Sequence, residues 1–310
     1  MKGYMREFEK FLHMYVNSRS ISLQEDPCVL ASKIFEFFSL LTFPHTEDHF
    51  LEGLKGKALH TLWCIIIDDI IENTDDGKES ISDSLKVVTK YRNRINFSGK
   101  TEYGHIMHDF IQRFYNLSSG PNRKIVEELL FLDLLRVLSG FEYERIIQKN
   151  DMLITLPEYM EYGAVTTNLR VFLDIDIATY PYNMNLFTIG NLRKAYKWFN
   201  LAFRLGSDIA TFEKEFFVEK PHNAVIFYGQ EKGVLPRRIC RTERKYRERL
   251  YERVIPSLVD DVKDKGREYL SKSVECLEKI NEIDMGGTAK AFKLLFENYL
   301  GQSIFSPPVK

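Results

Sequence analysis

The sequence predicts an all-α protein that folds as a single domain. Apolar residues recur at helical spacing in segment after segment, strand-like alternation never persists beyond a few residues, and no stretch has the composition of an interdomain linker. With 310 residues, of which 44% are hydrophobic and 13% aromatic, the chain can bury a large core. We therefore expect a bundle of roughly ten to twelve helices without internal repeats.

Six helices are predicted in the first half of the chain, and proline, glycine or polar residues separate them. Phe8, Phe11 and Leu12 show the helical spacing in the first of these. Pro44 and the polar residues after it mark the turn before the third. The two helices on either side of the turn at 118–122 should form an antiparallel pair. The predicted helices span 7–16, 27–41, 50–73, 80–91, 103–117 and 124–149.

The second half begins with a helix that should be interrupted. Thr155 precedes Pro157, with acid in the first turn, so a helix should start there and run toward Tyr180. Inside it, residues 163–167 are small or β-branched, a composition that weakens a helix and often marks a break at a functional site. The remaining predicted segments span 191–219, 222–232, 237–265, 271–283 and 288–302.

Charge and cysteine content exclude several classes of protein. The net charge is −1, so no global field favours nucleic acid or an anionic membrane, and the mixed charges of 241–249 are typical of a solvated, salt-bridged face. Cys28, Cys64, Cys240 and Cys276 lack CxxC spacing, which argues against a zinc cage or a disulfide framework and favours a reducing cytoplasm. No run is long and apolar enough to predict a signal peptide or a membrane span.

The first motif is a cluster of carboxylates at the end of an apolar run, residues 62–67. On a helix Asp68 and Glu72 lie one turn apart, and Asp69 lies three residues before Glu72. Like charges beside isoleucines raise carboxylate pKa values unless a cation lies among them, and magnesium is the hard cation that such oxygens prefer. An acidic helix end that runs into a solvated turn is the alternative.

The second motif is an oxygen-rich stripe. Ser207, Thr211 and Glu215 stand at i, i+4 and i+8, with Asp208 one residue along, so hydroxyl and carboxylate oxygens should share one helix face. Such a donor set suits a hard cation. Two oxygen-rich helix ends on different helices can face each other across a cleft and hold metal ions with a diphosphate between them.

The two motifs together resemble those of the class I terpene cyclases of bacterial type. Residues 68–72 match the DDxxD/E motif of that family, and Asp208, Thr211 and Glu215 match its NDxxSxxxE motif. The interval between the motifs, 139 residues from Asp68 to Ser207, also resembles that of the family. The segment 222–233 also resembles the family's sequence downstream. The resemblance covers most of the chain and implies an all-α bundle of the class I terpenoid synthase type, with a central apolar cavity and the metal motifs at its open end.

Several positions depart from the family pattern. Ser207 stands where Asn or Asp is usual, and Gly163 or Ala164 stands near the place of the family's diphosphate-sensing arginine. Arg170 lies two turns further along the predicted helix and is a candidate substitute. The family's C-terminal Arg-Tyr pair is missing, whereas Lys214 occupies the position of a basic diphosphate contact. These departures indicate rearranged diphosphate contacts or an unusual substrate.

The resemblance implies that a linear prenyl diphosphate is ionised with Mg²⁺, three ions in the closed complex, and cyclised to a hydrocarbon or alcohol. Three sets of side chains and a backbone segment would carry this reaction. The implied metal ligands are Asp68, Asp69, Glu72, Ser207, Asp208, Thr211 and Glu215. The implied diphosphate contacts are Lys214, Arg170 and Arg204, with Arg123 in support. The implied effector segment is Gly163, Ala164, Val165 and Thr166, where a helix break would turn backbone carbonyls toward the cavity. The implied cavity wall is Phe38, Trp63, Phe172, Trp198, Phe199, Tyr228, Phe292 and Tyr299.

Other functions stay open at this point. A chain-elongating prenyltransferase of the same superfamily would favour a second Asp-rich motif, and residues 208–215 do not contain one. A head-to-head synthase resembles this arrangement less. A helical interaction protein or a catalytically dead relative would have no need of acidic motifs on two apolar helices. A homodimer is common in similar proteins.

Overall fold

The computed structural model describes residues 2–19, 21, 23, 25–41, 47–74, 76–117, 120–150, 154–217, 222–239 and 242–301, apart from the side chains at 2, 47–49, 72, 73, 150 and 299. Over these residues the chain forms α-helices and one short 3₁₀ helix, and no strand, which confirms the all-α prediction. The helices are α1 (Lys2–Ser18), α2 (Pro27–Leu41), α3 (Glu47–Asn73), α4 (Gly77–Arg92), α5 (Glu102–Leu117), α6 (Arg123–Asn150), α7 (Leu156–Gly163), α8 (Leu169–Thr179), α9 (Leu186–Phe217), α10 (Ala224–Glu231), α11 (Arg244–Arg253), α12 (Ile255–Leu277) and α13 (Gly286–Gly301), with the 3₁₀ helix (Ala164–Thr167) between α7 and α8.

The predicted boundary between 265 and 271 was wrong. The helix break lies at Val254 instead, because Pro256 has no N–H to donate and is tolerated only in a first helical turn, where it begins α12. α12 then continues through Gly266. A Cβ there would lie 2.6 Å from Cζ of Phe296 in α13, so this glycine allows two helices to approach closely rather than ending one.

Two clusters of buried side chains form the core, and α9 contributes to both. The larger cluster lies among α1–α6, α8, α13, the first half of α9 and the second half of α12, whereas the smaller includes α7, α10, the first half of α12 and residues Leu205, Phe212 and Phe216 of α9. α5 packs against α3 and α4, and α6 against α4 and α8, so α5 and α6 do not form the predicted pair within the described residues. That the whole chain is one domain stays a prediction.

A buried ion pair joins α3 to α8. Lys57 and Asp176 have side chains that are 0% and 2% exposed, and the Lys57 Nζ lies 2.6 Å from Asp176 Oδ1. Burial lowers the pKa of Lys57, although Asp176 opposes that shift. In the part of the chain that the structure describes, no helix has the length and hydropathy needed to cross a membrane.

Candidate active site

The helix break predicted at residues 163–167 is present. Pro157 lies in the first turn of α7, and the Thr155 hydroxyl accepts a hydrogen bond from the Glu158 N–H at 3.4 Å. α7 ends at Gly163, the 3₁₀ turn follows, and Asn168 then adopts a left-handed conformation with φ 64°. Residues 163–168 are called the break segment below.

The side chains of the break segment bind its own backbone oxygens. The hydroxyls of Thr166 and Thr167 each donate at 2.8 Å, to the carbonyls of Gly163 and Ala164 respectively. The Asn168 amide donates to the Thr166 carbonyl. The sequence-based expectation was that freed carbonyls would turn toward the cavity. In the structure the two hydroxyls and the Asn168 amide add donors to carbonyls of this segment, and its role as an effector stays a prediction.

One residue of each motif, Asp68 and Ser207, lines a common cavity, which we call the central cavity; Asp69, Thr211 and Glu215 do not line it. It has a volume of about 210 Å³ and lies between α2, α3, α6, the break segment, α8 and α9. Asp68 from α3 and Ser207 from α9 line it together with Arg204. Five rings form its apolar wall, from Phe37, Phe38, Phe141, Phe172 and Phe203. A small aromatic cavity with acidic and basic groups is the arrangement that the resemblance implies.

The second motif provides oxygens one turn apart on α9. Ser207 lines the central cavity, and the Thr211 hydroxyl donates to the Ser207 carbonyl at 3.1 Å. Burial, and the charge of Asp208, raise the pKa of Glu215 to about 8, while Asn223 donates to its Oε2 at 3.1 Å. A desolvated carboxylate beside another carboxylate is the environment that a bound cation relieves. The donor set therefore fits a hard divalent ion.

Asp208 is engaged differently from its neighbours in the motif. It is buried, its Oδ2 accepts from the Tyr159 hydroxyl and from the Ala224 N–H, both at 2.9 Å, and its Oδ1 lies 3.1 Å from Arg204 Nε. Helical phase explains this difference, because a residue one position along α9 points about 100° away from the stripe. In this structure Asp208 therefore positions Arg204 and the start of α10, and its role as a metal ligand stays a prediction.

The first motif lies at the exposed end of α3. Asp68 and Asp69 are both exposed, and Asp68 reaches the central cavity. The Glu72 side chain lies outside the described residues. Among the side chains that are described, no three of the types His, Cys, Asp and Glu come close enough together to hold a metal ion. The predicted convergence of three carboxylates on α3 therefore stays a prediction, and the oxygens that the structure does bring together are those of Asp68 and Ser207.

Arg204 is the predicted diphosphate contact that lies at the central cavity. Its guanidinium is 3.3 Å from Glu144 Oε1 and donates to the hydroxyls of Tyr159, at 2.8 Å, and Thr166, at 3.2 Å. With the Asp208 contact, these partners tie Arg204 to α6, α7 and the break segment. The charge is therefore held in one orientation between the break segment and the oxygen-rich stripe of α9.

The other three predicted basic contacts lie elsewhere. Arg170 lines a different, larger cavity, with its Nη1 3.7 Å from Asp133 Oδ1. Arg170 would share a face with Gly163 only if the helix ran on unbroken, and the 3₁₀ turn and the left-handed Asn168 separate α7 from α8 before Arg170. Arg123 pairs with Glu127 at 2.7 Å, at the far end of α6 from Glu144. Lys214 is half-buried on α9 but lines neither cavity.

Two of the eight predicted wall residues line the central cavity. The rings of Phe38 and Phe172 meet edge to face, with centroids 4.5 Å apart. Tyr228 lines the larger cavity instead, and the Tyr299 side chain lies outside the described residues. Phe37, Phe141 and Phe203 were missed; Phe203 could have been found, because it precedes Ser207 by one helical turn.

The remaining predicted wall residues pack into the structure around the cavity. The Trp63 indole donates to the Ser84 hydroxyl at 3.1 Å and meets Phe141 edge to face from behind the wall. Phe199 stacks on Phe292, with centroids 3.8 Å apart. Trp198 stacks on Tyr269 of α12. α9 is apolar on more than one side, so aromatic content alone does not show which side faces the cavity.

Asn168, which the sequence analysis did not single out, holds the break segment in place. Its amide donates to Cys64 Sγ at 2.8 Å as well as to the Thr166 carbonyl, and its Oδ1 accepts from His60 Nε2 at 3.1 Å. Burial lowers the pKa of His60 to about 3, so this imidazole is neutral. Asparagine is among the few residue types that tolerate a left-handed conformation. An asparagine next to the predicted helix break was therefore the sequence signal that could have identified this residue.

Asn168→Ala is expected to destabilise the protein more than Asn168→Gly does. Both substitutions remove the side-chain hydrogen bonds, but alanine also pays about 1–2 kcal/mol for the left-handed backbone, which glycine adopts freely. Urea unfolding of the two variants measures that difference. Equal stability, or a more stable alanine variant, would show that the backbone at this position is not left-handed.

The sequence matches the family model for terpene synthase family 2, C-terminal metal binding, over residues 60–250. This match covers more than half of the chain and includes both acidic motifs. The chain belongs to the terpene synthase family. A comparison with curated protein sequences found no match. The motif resemblance seen in the sequence is thereby confirmed at the level of the family.

Solved structures of terpene synthases share the fold. Linalool/nerolidol synthase from Streptomyces clavuligerus, in complex with 2-fluorogeranyl diphosphate, aligns with a TM-score of 0.65 at 11% identity, over 95% of this chain and 96% of that chain. 2-Methylisoborneol synthase from Streptomyces coelicolor A3(2), in complex with Mg²⁺ and geranyl-S-thiolodiphosphate, aligns with a TM-score of 0.65 at 10% identity, over 99% and 94%. Geranylgeranyl pyrophosphate synthetase from the archaeon Geoglobus acetivorans aligns with a TM-score of 0.53 at 13% identity, over 97% of this chain and 98% of that chain. At these identities the likeness concerns the fold.

Proposed function

We propose that this terpene synthase is a class I cyclase that ionises a linear prenyl diphosphate, farnesyl or geranylgeranyl diphosphate, and cyclises the resulting allylic cation to a hydrocarbon or alcohol. The observation that carries the proposal is the meeting of Asp68, Ser207 and Arg204 at one aromatic cavity, beside the break segment. The Asp68 carboxylate and the Arg204 guanidinium suit a diphosphate head with its metal ion, and the phenylalanine rings suit an apolar chain.

Four side chains would hold Mg²⁺ in this proposal: Asp68 on α3 and Ser207, Thr211 and Glu215 on α9. When bound, the ion supplies positive charge that stabilises the departing diphosphate oxygens. Two related proteins of known structure were solved with a prenyl diphosphate analogue, one of them with Mg²⁺, which supports this choice of ligand and metal. The presence of three ions stays a prediction.

Arg204 would bind the diphosphate oxygens as the bond to carbon breaks. Glu144 and Asp208 hold its guanidinium in place before the substrate arrives, so little reorganisation is needed as charge develops. The five phenylalanines would exclude water and fold the chain of the cation. An aromatic face stabilises a nearby cation by about 0.5–2 kcal/mol.

A chain-elongating prenyltransferase is the second candidate, because an archaeal geranylgeranyl pyrophosphate synthetase shares the fold. The stripe on α9, with two hydroxyls and one carboxylate, favours the cyclase. We further propose a cytoplasmic enzyme that acts on a small molecule, without a nucleic-acid partner. A homodimer stays a prediction from the resemblance.

The test is incubation of purified protein with geranyl, farnesyl and geranylgeranyl diphosphate, with and without Mg²⁺, followed by extraction and mass spectrometry. We expect a cyclic product from one substrate that disappears when the metal is chelated. Longer linear diphosphates, formed only when isopentenyl diphosphate is added, would support the elongase instead. No turnover of any substrate under these conditions would contradict both.

A further inference from the structure

A second and larger cavity lies on the other side of the break segment. This rear cavity has a volume of about 710 Å³ and lies among α6, α7, α8, α9, α10 and α12. Ala164 and Val165 line it, whereas Thr166 and Thr167 of the same 3₁₀ turn line the central cavity. Its volume falls in the range of about 300–1,000 Å³ that small-molecule sites occupy in proteins.

One part of the rear cavity is apolar. Val137 of α6, Met160 of α7 and Leu201 of α9 line it from three helices, and the ring of Tyr228 lines it from α10. Val137 is 3% exposed and Met160 5%, so these side chains are held in the packed interior and do not belong to a loose surface. The cavity therefore has walls that suit a hydrocarbon chain.

The other part of the rear cavity is lined by two arginines, the half-buried Arg170 and the exposed Arg136. Three arginines share the buried carboxylate of Asp133. The nitrogen-to-oxygen distances are 3.3 Å for Arg136, 3.7 Å for Arg170 and 2.6 Å for Arg193. Asp174 adds one further carboxylate, 2.9 Å from Arg193. Three guanidinium groups against two carboxylates leave a net positive charge.

Arg170 has an unused hydrogen-bond donor beside this cavity. Its Nε is buried and has no hydrogen-bond partner among the described atoms. Burial lowers the pKa of Arg170, and the neighbouring Arg193 and Arg136 lower it further, against the opposing effect of Asp133. An anion in the cavity would relieve that repulsion and accept from the guanidinium.

The other charges on the wall do not cancel this surplus. Lys197 and Lys265 also line the cavity. The two further carboxylates on the wall, Glu161 and Glu231, are exposed, so water screens them. This part of the cavity is therefore basic, with the half-buried Arg170 and Lys265 and the exposed Arg136 and Lys197 on its wall.

We propose that the rear cavity binds an amphiphilic anion with a single hydrocarbon chain. A phosphate or carboxylate head would lie at Arg170 and Arg136, with the chain along Val137, Met160 and Leu201. The two cavities both border α6, α8 and α9, but Asn168 is the one residue common to their linings, so this site is distinct from the central cavity. The proposal does not depend on the reaction proposed above.

The probe is decyl phosphate, titrated into the whole purified chain by isothermal calorimetry. Two substitutions on α9 form a matched pair: Leu201→Trp fills the rear cavity, and Ser207→Trp fills the central one. We expect saturable binding that Leu201→Trp and Arg170→Gln each weaken by about tenfold or more, because one removes space and the other removes a charged hydrogen bond. Ser207→Trp should leave the affinity unchanged.

Decanol, with the same chain and no charge, should bind at least about tenfold more weakly than decyl phosphate. Thermal melting checks that each variant is folded, and Arg136→Gln replaces Arg170→Gln if the latter is not. The absence of saturable binding, a loss of affinity in Ser207→Trp but not in Leu201→Trp, or decanol binding as tightly as decyl phosphate would each overturn the proposal.

Discussion

Turnover in Asp68→Ala and in Glu215→Gln is expected to fall by at least about a hundredfold, because each substitution removes a carboxylate that would bind Mg²⁺ where charge develops on the diphosphate. Neither change should unfold the protein. Asp68 is exposed, and glutamine keeps the shape of Glu215 and can still accept a hydrogen bond from Asn223. Product formation under saturating substrate and Mg²⁺ is the measurement. Near-wild-type turnover in either variant would count heavily against the proposed function.

Glu215→Gln should also change how stability depends on pH in the metal-free protein. Burial raises the pKa of Glu215 from 4.5 to about 8, so in the wild type the unfolded state loses this proton first as pH rises. The free energy of unfolding therefore falls progressively as the pH rises from about 4.5 to about 8. Glutamine does not titrate, so the melting temperature of the variant should fall less than that of the wild type over this pH interval. Glu213→Gln, at an exposed position on the same helix, is the matched control and should change neither turnover nor the pH dependence.

Lys57→Met is expected to lower the free energy of unfolding by about 3–5 kcal/mol, because it leaves the carboxylate of Asp176 buried without its cation. The double variant Lys57→Met/Asp176→Leu should recover most of that loss, since it removes both charges and keeps the volume apolar. Urea unfolding of the single and double variants measures both changes.

The control for this pair is an exposed ion pair, Lys272 with Glu268 on α12. Lys272→Met should shift the urea midpoint little, because water already solvates both of its charges. If Lys57→Met had as small an effect, or if the double variant were as unstable as the single one, the ion pair would not be the desolvated contact that the structure shows.

The features that could be predicted from sequence were those that depend on local chemistry. Helical spacing identified most of the helices, and a run of small and β-branched residues located the break segment. Family motifs identified Asp68 and Ser207 before the fold brought them to one cavity. Each of these inferences uses residues within a few turns of one another.

The features that could not be predicted depend on the direction of a helix or on which of its sides faces a neighbour. The position of Arg170 follows from the left-handed conformation of Asn168, which the spacing of apolar residues does not predict. Phe199 and Phe203 lie on the same apolar helix one turn apart, yet one stacks on α13 and the other lines the cavity. That α12 continues through Gly266 could be predicted only by someone who knew that the ring of Phe296 in α13 packs against this glycine.

Helix α9 passes from the larger hydrophobic cluster into the smaller one, and Glu215 lies in the part that packs on the smaller cluster. The distance between Asp68 and Glu215 therefore depends on how the two clusters sit against each other, because α3 belongs to the larger. Tyr251 packs against Phe212 and Phe216, on the turns of α9 beside Glu215. Since a shift of about 1 Å in a reacting group can cost a hundredfold in rate, small changes in that aromatic packing would alter activity without touching the cavity.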